Sequence, residues 1–287
     1  MAVLRTVIQD THEKLEAAGI PDARLEAEVF VMYVMRMARQ NIFAEQETEV
    51  GAQQQEALDA MLTRRYTREP LAYILGHREF YGINVRVTPA VLIPRSETEG
   101  LVEHALFMAL MGMESRELTI ADVGTGTGAI AINLALHLPA AKVYAVDVAD
   151  EVLDVAAYNI RSHGVSDRVS LAIGDLLDAV PEPVDLIVAN LPYIPTDRIP
   201  TLQPEVQKEP ALALDGGPDG LDLIRRLLTQ AEEKLKENGI ILLEIDPEQV
   251  PVVQALALKH FPNGATSVEQ DLAHMDRVLT IHRQNPE

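Results

Sequence analysis

Two short segments of this chain carry the residue types that chemistry on a planar nitrogen would need. Asn190-Leu191-Pro192-Tyr193 follows an apolar strand candidate, and Ala121-Asp122-Val123-Gly124-Thr125-Gly126-Thr127-Gly128 follows another about sixty residues earlier. An amide nitrogen or aromatic amine is a poor nucleophile, because its lone pair is delocalised into the adjoining π-system. Two acceptors that hold its N–H groups turn that pair toward an electrophilic carbon and stabilise the positive charge that develops. The side-chain oxygen of Asn190 is one such acceptor and the backbone carbonyl of Leu191 the other. Pro192 stiffens the turn, and Tyr193 offers the target group a flat wall. Asn and Pro are also common in ordinary strand-ending turns; what sets this turn apart is its distance after a glycine loop and two strand-end acids.

Gly124, Gly126 and Gly128, with Thr125 and Thr127 between them, permit a tight turn and close backbone approach to a ligand. A helix beginning near Gly128 would aim free N–H groups and partial positive charge at that ligand. Asp147 closes the next strand candidate, where a carboxylate accepts both hydroxyls of a ribose. A nucleoside cofactor is therefore expected. The turn alone leaves its identity open, because Gly124-x-Gly126-x-x-Ala129 also satisfies the looser dinucleotide pattern. Asp122 is placed to hold a cationic amino group through the turn's backbone or a water; S-adenosylmethionine has such a group and NAD does not. The Asn190–Tyr193 turn has no role in hydride transfer. Asp175, in Gly174-Asp175-Leu176, ends the third strand where an adenine amino group would lie, and suits a helix N-cap equally well. Together the segments read as a methyltransferase acting on a nitrogen in a planar, conjugated group.

The elements that must position these residues alternate. Strands are expected at 118–123, 142–146, 169–173, 184–189 and 240–245, with helices beginning near Gly128, Asp150, Asp219 and Pro247. Residues 265–269 and 277–282 read as two further strands, an antiparallel hairpin closing a mostly parallel sheet. The fold class expected is α/β: a Rossmann-like class I S-adenosylmethionine-dependent methyltransferase domain, seven-stranded, with a small N-terminal helical domain. The boundaries are 1–75 for a helical domain whose outer face is open to a partner, 76–95 for a hairpin-like linker in which residues 81–88 alternate like a strand pair, and 96–287 for the methyltransferase domain. In the helical part, Leu25, Val29, Met32 and Tyr33 fall on one stripe and Leu58, Met61, Leu62 and Tyr66 on another, both expected to pack inside a bundle. Residues 191–218 are proline-rich with no regular period, a substrate-contacting loop at the carboxyl end of a central strand.

At 287 residues and nearly half hydrophobic, the chain can build two unequal domains. Its formal charge of −20 argues against an affinity that comes from neutralising phosphates, although Arg64, Arg65 and Arg68 make a small basic patch. Cysteine is absent, which excludes disulfides, thiolate metal sites and cysteine nucleophiles. The histidines show no zinc-ligand spacing, so no metal is expected. Without a signal-peptide core or a long apolar run, a cytoplasmic monomer with no membrane or nucleic-acid partner is expected.

The motifs resemble those of the HemK/PrmC family, the N5-glutamine methyltransferases of peptide chain release factors. The resemblance covers nearly the whole chain. It includes Glu69-Pro70-Leu71-Ala72-Tyr73-Ile74-Leu75-Gly76, Arg78-Glu79-Phe80-Tyr81-Gly82, Val87-Thr88-Pro89, Leu92-Ile93-Pro94-Arg95 and Glu97-Thr98-Glu99, then Glu209-Pro210-Ala211-Leu212-Ala213-Leu214-Asp215-Gly216-Gly217, Asp219-Gly220-Leu221, Asp271-Leu272-Ala273 and Asp276-Arg277-Val278. It implies methylation of the glutamine in a release factor's Gly-Gly-Gln loop. It places S-adenosylmethionine on Gly124–Gly128, Asp147, Leu176 and Asn190, the glutamine on Asn190–Tyr193, and a release-factor grip on the helical domain. Three positions depart from the family pattern: Leu191 and Ser96 stand where proline is usual, and Asp246 where glycine is frequent. The rival readings are a glutamine methyltransferase acting on a ribosomal protein, a nucleic-acid adenine methyltransferase, and an NAD-dependent oxidoreductase.

Overall fold

Leu4, Leu15, Phe30, Ile42, Leu58 and Leu62 retain almost no exposed surface, and the helices that carry them make up the first of two units. In the computed structural model, which describes residues 2–113, 117–271 and 273–284, this unit comprises residues 1–76 together with Pro204–Lys208. Leu272, in one of the motifs above, lies outside the described residues. The helices are α1 (Leu4–Ala17), α2 (Ala23–Met35), α3 (Arg39–Ala44), α4 (Ala52–Tyr66) and α5 (Leu71–Leu75). On α4, Leu58, Met61 and Leu62 turn inward as expected, whereas Tyr66 is exposed. The expected stripe on α2 is split: Leu25 is 52% and Tyr33 46% exposed and Val29 is half-buried, while Met32 packs against the core that Ala23, Ala27, Phe30 and Val31 fill. α2 is apolar on both faces, so spacing alone does not choose between them. The ring of Phe30, flanked by small Ala23 and Ala27, and the placement of Glu26 against Arg65 decide the rotation.

Arg65 is part of no surface patch. It is 3% exposed and donates to both oxygens of Glu26, at 2.7 and 3.1 Å, and to Glu205 at 2.8 Å. Arg64 pairs with Glu69 and Arg68 with Glu205, so each of the three arginines is spent on an ion pair inside this unit.

The second unit holds residues 77–203 and 209–287. It begins with a hairpin, β1 (His77–Phe80) and β2 (Ile83–Arg86), in which Phe80 stands opposite Ile83. Tyr81 and Gly82, read as strand from their alternation, are the turn: both have positive φ, 45° and 75°, matching the twist of a two-residue hairpin. Then follow α6 (Ser96–Met113), β3 (Thr119–Val123), α7 (Ala129–His137), β4 (Lys142–Asp147), α8 (Asp150–Ser162), β5 (Val169–Ile173), β6 (Val184–Ala189), α9 (Asp222–Lys234), β7 (Leu235–Glu244), α10 (Val250–His260), β8 (Ala265–Gln270) and β9 (Asp276–His282).

Strands β3 to β9 form one sheet in the order β5-β4-β3-β6-β7-β9-β8, parallel except where β9 runs against β7 and β8. Every residue of β3 and β6 is buried, as both faces of a central parallel strand must be. The acid at the base of β6, Asp185, is satisfied by the Thr119 N–H at 2.9 Å and Lys236 at 2.8 Å. Helices cover the faces with apolar stripes at helical spacing, such as Ile224, Leu227, Leu228 and Ala231 on α9. Each large aliphatic side chain so buried contributes about 1.5–3 kcal/mol. Among the described residues, no helix is long and apolar enough to cross a membrane.

Candidate active site

The sheet order reverses between β3 and β6, where chain connections leave in opposite directions, and such a point opens a crevice at the carboxyl ends of the strands. In register, Val123 lies beside Ala189 and Val146. The residues that follow, Gly124 and Asn190, are therefore neighbours by topology. Gly124 has φ +73°, and a Cβ built there would come within 3.1 Å of Leu191 Cδ2. The N–H groups of Gly124 and Thr125 both donate to the Val146 carbonyl at 2.9 Å, which folds the glycine turn back over β4. α8 pins the other side of that turn: Asn159 Nδ2 donates to the carbonyls of Thr127 and Arg86, and its Oδ1 accepts from the Arg86 N–H.

Asp122 is not on the cleft wall. It is fully buried beneath the turn, where Oδ2 accepts from the Thr125 hydroxyl at 2.6 Å and the Ala131 N–H at 3.1 Å, and Oδ1 has no partner. Burial pushes its carboxyl up to about 7, against the lowering effect of those two bonds. Any hold of Asp122 on a ligand passes through the turn it braces. Asp147 does reach the cleft, accepting from the Gly126 N–H at 3.0 Å and the Val148 N–H at 2.8 Å; burial raises its pKa, and these backbone bonds oppose the rise.

The cleft has a volume of about 390 Å³, and Gly124, Gly126, Asp147, Asp175, Leu176, Asn190, Leu191 and Pro192 all line it. Asp175 caps no helix; it forms an ion pair with Arg226 at the rim. Leu176 is 7% exposed and holds a left-handed backbone, φ 56°. A smaller recess of about 50 Å³ adjoins through Gly124, Gly126 and Asn190, and adds Thr125, Thr127, Phe80, Arg95 and Thr98. Gly128 lines neither; it is the N-cap residue of α7, as the expected start of that helix requires.

Asn190 is held by a residue that sequence reasoning passed over. Its Nδ2 donates to Thr98 Oγ1 at 2.9 Å, which leaves Oδ1 as the acceptor for the cleft that Asn190 lines. Tyr193 is set back from both cavities, its hydroxyl donating to Glu244 Oε1 at 3.2 Å. The backbone of the turn is gripped from behind. Gln249 Nε2 donates to the Tyr193 carbonyl at 2.9 Å, and Cβ atoms at Gly216 and Gly220 would lie 2.6 Å from the Pro192 oxygen and 2.2 Å from the Tyr193 oxygen. The Asp215–Gly220 stretch is thus glycine-rich because the turn's carbonyls lie against it. The long loop is ordered, its ends joined by a bridge between Ile194 and Asp215 and its course taken up by 3₁₀ turns, at Thr196–Thr201, Val206–Lys208 and Ala211–Ala213, too short to show a period. The last of these puts Leu212 and Ala213 on the cleft. Of the departures, Leu191 is 4% exposed and packs over Gly124, Ser96 bonds Glu97, and Asp246 caps the turn before α10 by accepting from the Glu248 N–H. A lone carboxylate inside Leu242-Leu243-Glu244-Ile245 was the available signal for Glu244, and Glu97-Thr98-Glu99, one of the segments that carry the family resemblance, was the signal for Thr98.

Fold and cleft together define a class I S-adenosylmethionine-dependent methyltransferase. Residues 114–275 match the family described as Methyltransferase domain, and residues 6–76 that described as PrmC N-terminal domain. A methyltransferase from Pyrococcus furiosus shares the fold at a TM-score of 0.53 and 15% identity, covering 82% of this chain and 100% of that one. The chain is 42% identical to the release factor glutamine methyltransferase of Moorella thermoacetica, over 98% of this chain and 99% of that protein. It is 38% identical to that of Chlorobaculum tepidum, over 98% and 96%. The chain belongs to this family of release factor glutamine methyltransferases. Its methyl donor is S-adenosylmethionine, and the residues present fit that group. A side chain at Gly124 would meet Leu191 across the turn, Asp147 offers a carboxylate at the cleft, and Val148, Leu176 and Leu212 give it apolar walls.

Proposed function

We propose that the chain methylates the N5 side-chain nitrogen of the glutamine in the Gly-Gly-Gln loop of peptide chain release factors, in the cytoplasm and as a monomer. The observation that carries this reading is the Asn190 amide, held by Thr98 with its oxygen free at the mouth of the cleft. The names of the relatives supply the acceptor: a glutamine on a release factor. When bound, the cofactor supplies an electrophilic methyl group on a sulfonium. Asn190 Oδ1 and the Leu191 carbonyl accept the two N–H groups of the glutamine amide and turn its lone pair out of conjugation. Pro192 restricts the turn, and Tyr193, tethered through its hydroxyl, is the flat wall behind the amide.

Gly124, Thr125, Gly126, Thr127 and Gly128 form the cofactor's backbone seat. Asp147 takes the ribose hydroxyls, while Asp175 and Leu176 border the adenine and Asn190 closes the site toward the methyl group. Asp122 braces the seat from below. Residues 1–75 act as the substrate-recognition domain, 76–95 as linker and 96–287 as the methyltransferase domain. A net charge of −20 favours a protein acceptor over nucleic acid.

The test is to incubate the enzyme with labelled S-adenosylmethionine and, in parallel, a release factor, its loop Gln→Ala variant, ribosomal proteins and nucleic acids. Label on the release factor that disappears in the variant is the expected result. Label on a ribosomal protein alone would keep the chemistry and change the acceptor, and label on nucleic acid alone would overturn the reading.

A further inference from the structure

Gln249 closes the 3₁₀ turn Pro247–Gln249, directly before α10, and is 7% exposed. An amide buried to that degree has donors and an acceptor that need partners. Its Oε1 accepts from the Asp246 N–H at 3.2 Å. Its Nε2 donates to the Tyr193 carbonyl at 2.9 Å, with the carbonyls of Asp219 and Gly220 each at 3.4 Å. The amide fits one way round only. Turned over, it would set an oxygen against those carbonyl oxygens and its own N–H groups against the Asp246 N–H. The Asp246 side chain firms this corner, accepting from the Glu248 N–H at 3.1 Å and from Arg198, on the long loop, at 3.3 Å.

What the amide grips is the backbone of the Asn190–Tyr193 turn. Peptide groups are planar and the ring of Pro192 fixes its φ, so few torsions stay free once the groups after it are held. The Pro192 carbonyl lies against Gly216 and the Tyr193 carbonyl against Gly220, where Cβ atoms would stand 2.6 and 2.2 Å away. Ile194 is then fastened at both ends: its N–H donates to the Leu214 carbonyl at 3.1 Å, and its carbonyl accepts from the Gly216 N–H at 2.9 Å. The Leu191 carbonyl differs from these. Among the described residues it accepts no hydrogen bond, and Leu191 lines the cleft.

We infer that Gln249 is a positioning residue for methyl transfer: by holding the Tyr193 carbonyl from behind, it fixes the turn with the Leu191 carbonyl left open to an N–H of the acceptor. This rests on the acceptor role proposed for the Leu191 carbonyl. Gln249 itself lines neither cavity, so it acts through the turn and not on a ligand.

The experiment measures single-turnover methyl transfer to the release factor at saturating substrate, with calorimetric affinity for S-adenosylmethionine, for Gln249→Met and Gln249→Glu. Methionine keeps the unbranched stem and removes the donor. Glutamate keeps the shape and sets an oxygen against the Tyr193 carbonyl. Depriving a buried carbonyl of its donor is worth about tenfold. Gln249→Met is therefore expected to lower the rate roughly tenfold, with cofactor affinity within about twofold of wild type, and Gln249→Glu to lose more. A glutamine that only stabilised the fold would lower the melting temperature and leave the rate per folded molecule unchanged; a wild-type rate in Gln249→Met would thus overturn the inference. So would a loss that appears equally in cofactor affinity. Should Gln249→Met fail to fold, Gln249→Glu decides by the same two readings, and a wild-type rate there sinks the idea. Independently of any acceptor, the Gln249 side-chain amide protons of the wild type, followed by NMR, should exchange more slowly than those of free glutamine; exchange at the free rate also counts against the grip. If the wild type labels another acceptor, the function proposed above falls while the same rate ratios are read on that acceptor.

Discussion

In the reaction proposed above Asn190 contributes one oriented acceptor where positive charge develops, and removing one such group commonly lowers a rate by about 10²–10³. We expect Asn190→Ala to lose turnover on that scale while calorimetry finds most of the cofactor affinity intact; substantial retained turnover would take it out of the reaction. Asp122 makes a second prediction at this scale. Its folded carboxyl, near 7, lies above the ordinary carboxylate value of 3.8. The folded state thus holds a proton that the unfolded chain has released, and stability present below pH ~4 is lost as pH rises through about 7. Asp122→Asn keeps an oxygen for Thr125 and Ala131 and carries no charge. Its melting temperature relative to wild type, measured without cofactor, should therefore climb between pH 4 and pH 8; a constant difference would mean that the carboxyl titrates normally. The site was legible at the residues that stand at strand ends, Gly124, Asp147 and Asn190, because strand ends can be counted along a chain. Thr98 and Glu244 were not: Thr98 reaches Asn190 from the first turn of α6, Glu244 reaches Tyr193 through the lateral pairing of β6 with β7, and neither meeting has a spacing in sequence.

The glycine turn and the Asn190 turn are separate motifs in the chain and a single packed surface in the fold. Gly124→Ala would force alanine to φ +73° and its Cβ toward Leu191, where left-handed backbone alone costs about 1–2 kcal/mol. A fall in melting temperature of several degrees, with cofactor binding weakened about tenfold, is expected; unchanged calorimetry would mean that the two turns move independently. In the helical unit, Arg65 has 3% of its surface exposed. Glu26→Ala leaves it a single carboxylate partner, and breaking a buried pair typically costs about 3–5 kcal/mol, readable as a lower urea midpoint; a midpoint unmoved would show that Glu205 suffices. The sheet was legible almost strand for strand because buried parallel strands are continuous apolar runs. The rotation of α2 was not, because both its faces are apolar and only the tertiary partner of Glu26 selects one.

The two units divide the labour proposed here unequally: the cleft belongs wholly to the second. Leu25 and Phe43 on the helical unit are 52% and 43% exposed, beside a surface hollow of about 490 Å³. If that unit grips the release factor, Leu25→Ser with Phe43→Ser should raise KM for the intact factor and leave kcat/KM for a short Gly-Gly-Gln peptide unchanged. Equal losses on both substrates would assign the helical unit no recognition role. One arrangement at this scale bears on how the protein is made. The helical unit includes Pro204–Lys208, and Glu205 reaches Arg65 across 140 residues of chain. As the polypeptide emerges from the ribosome, the N-terminal helices must wait until most of the second unit has been synthesised before their last ion pair can close. Translation of the far loop, not of residue 76, is the moment at which the first unit is complete.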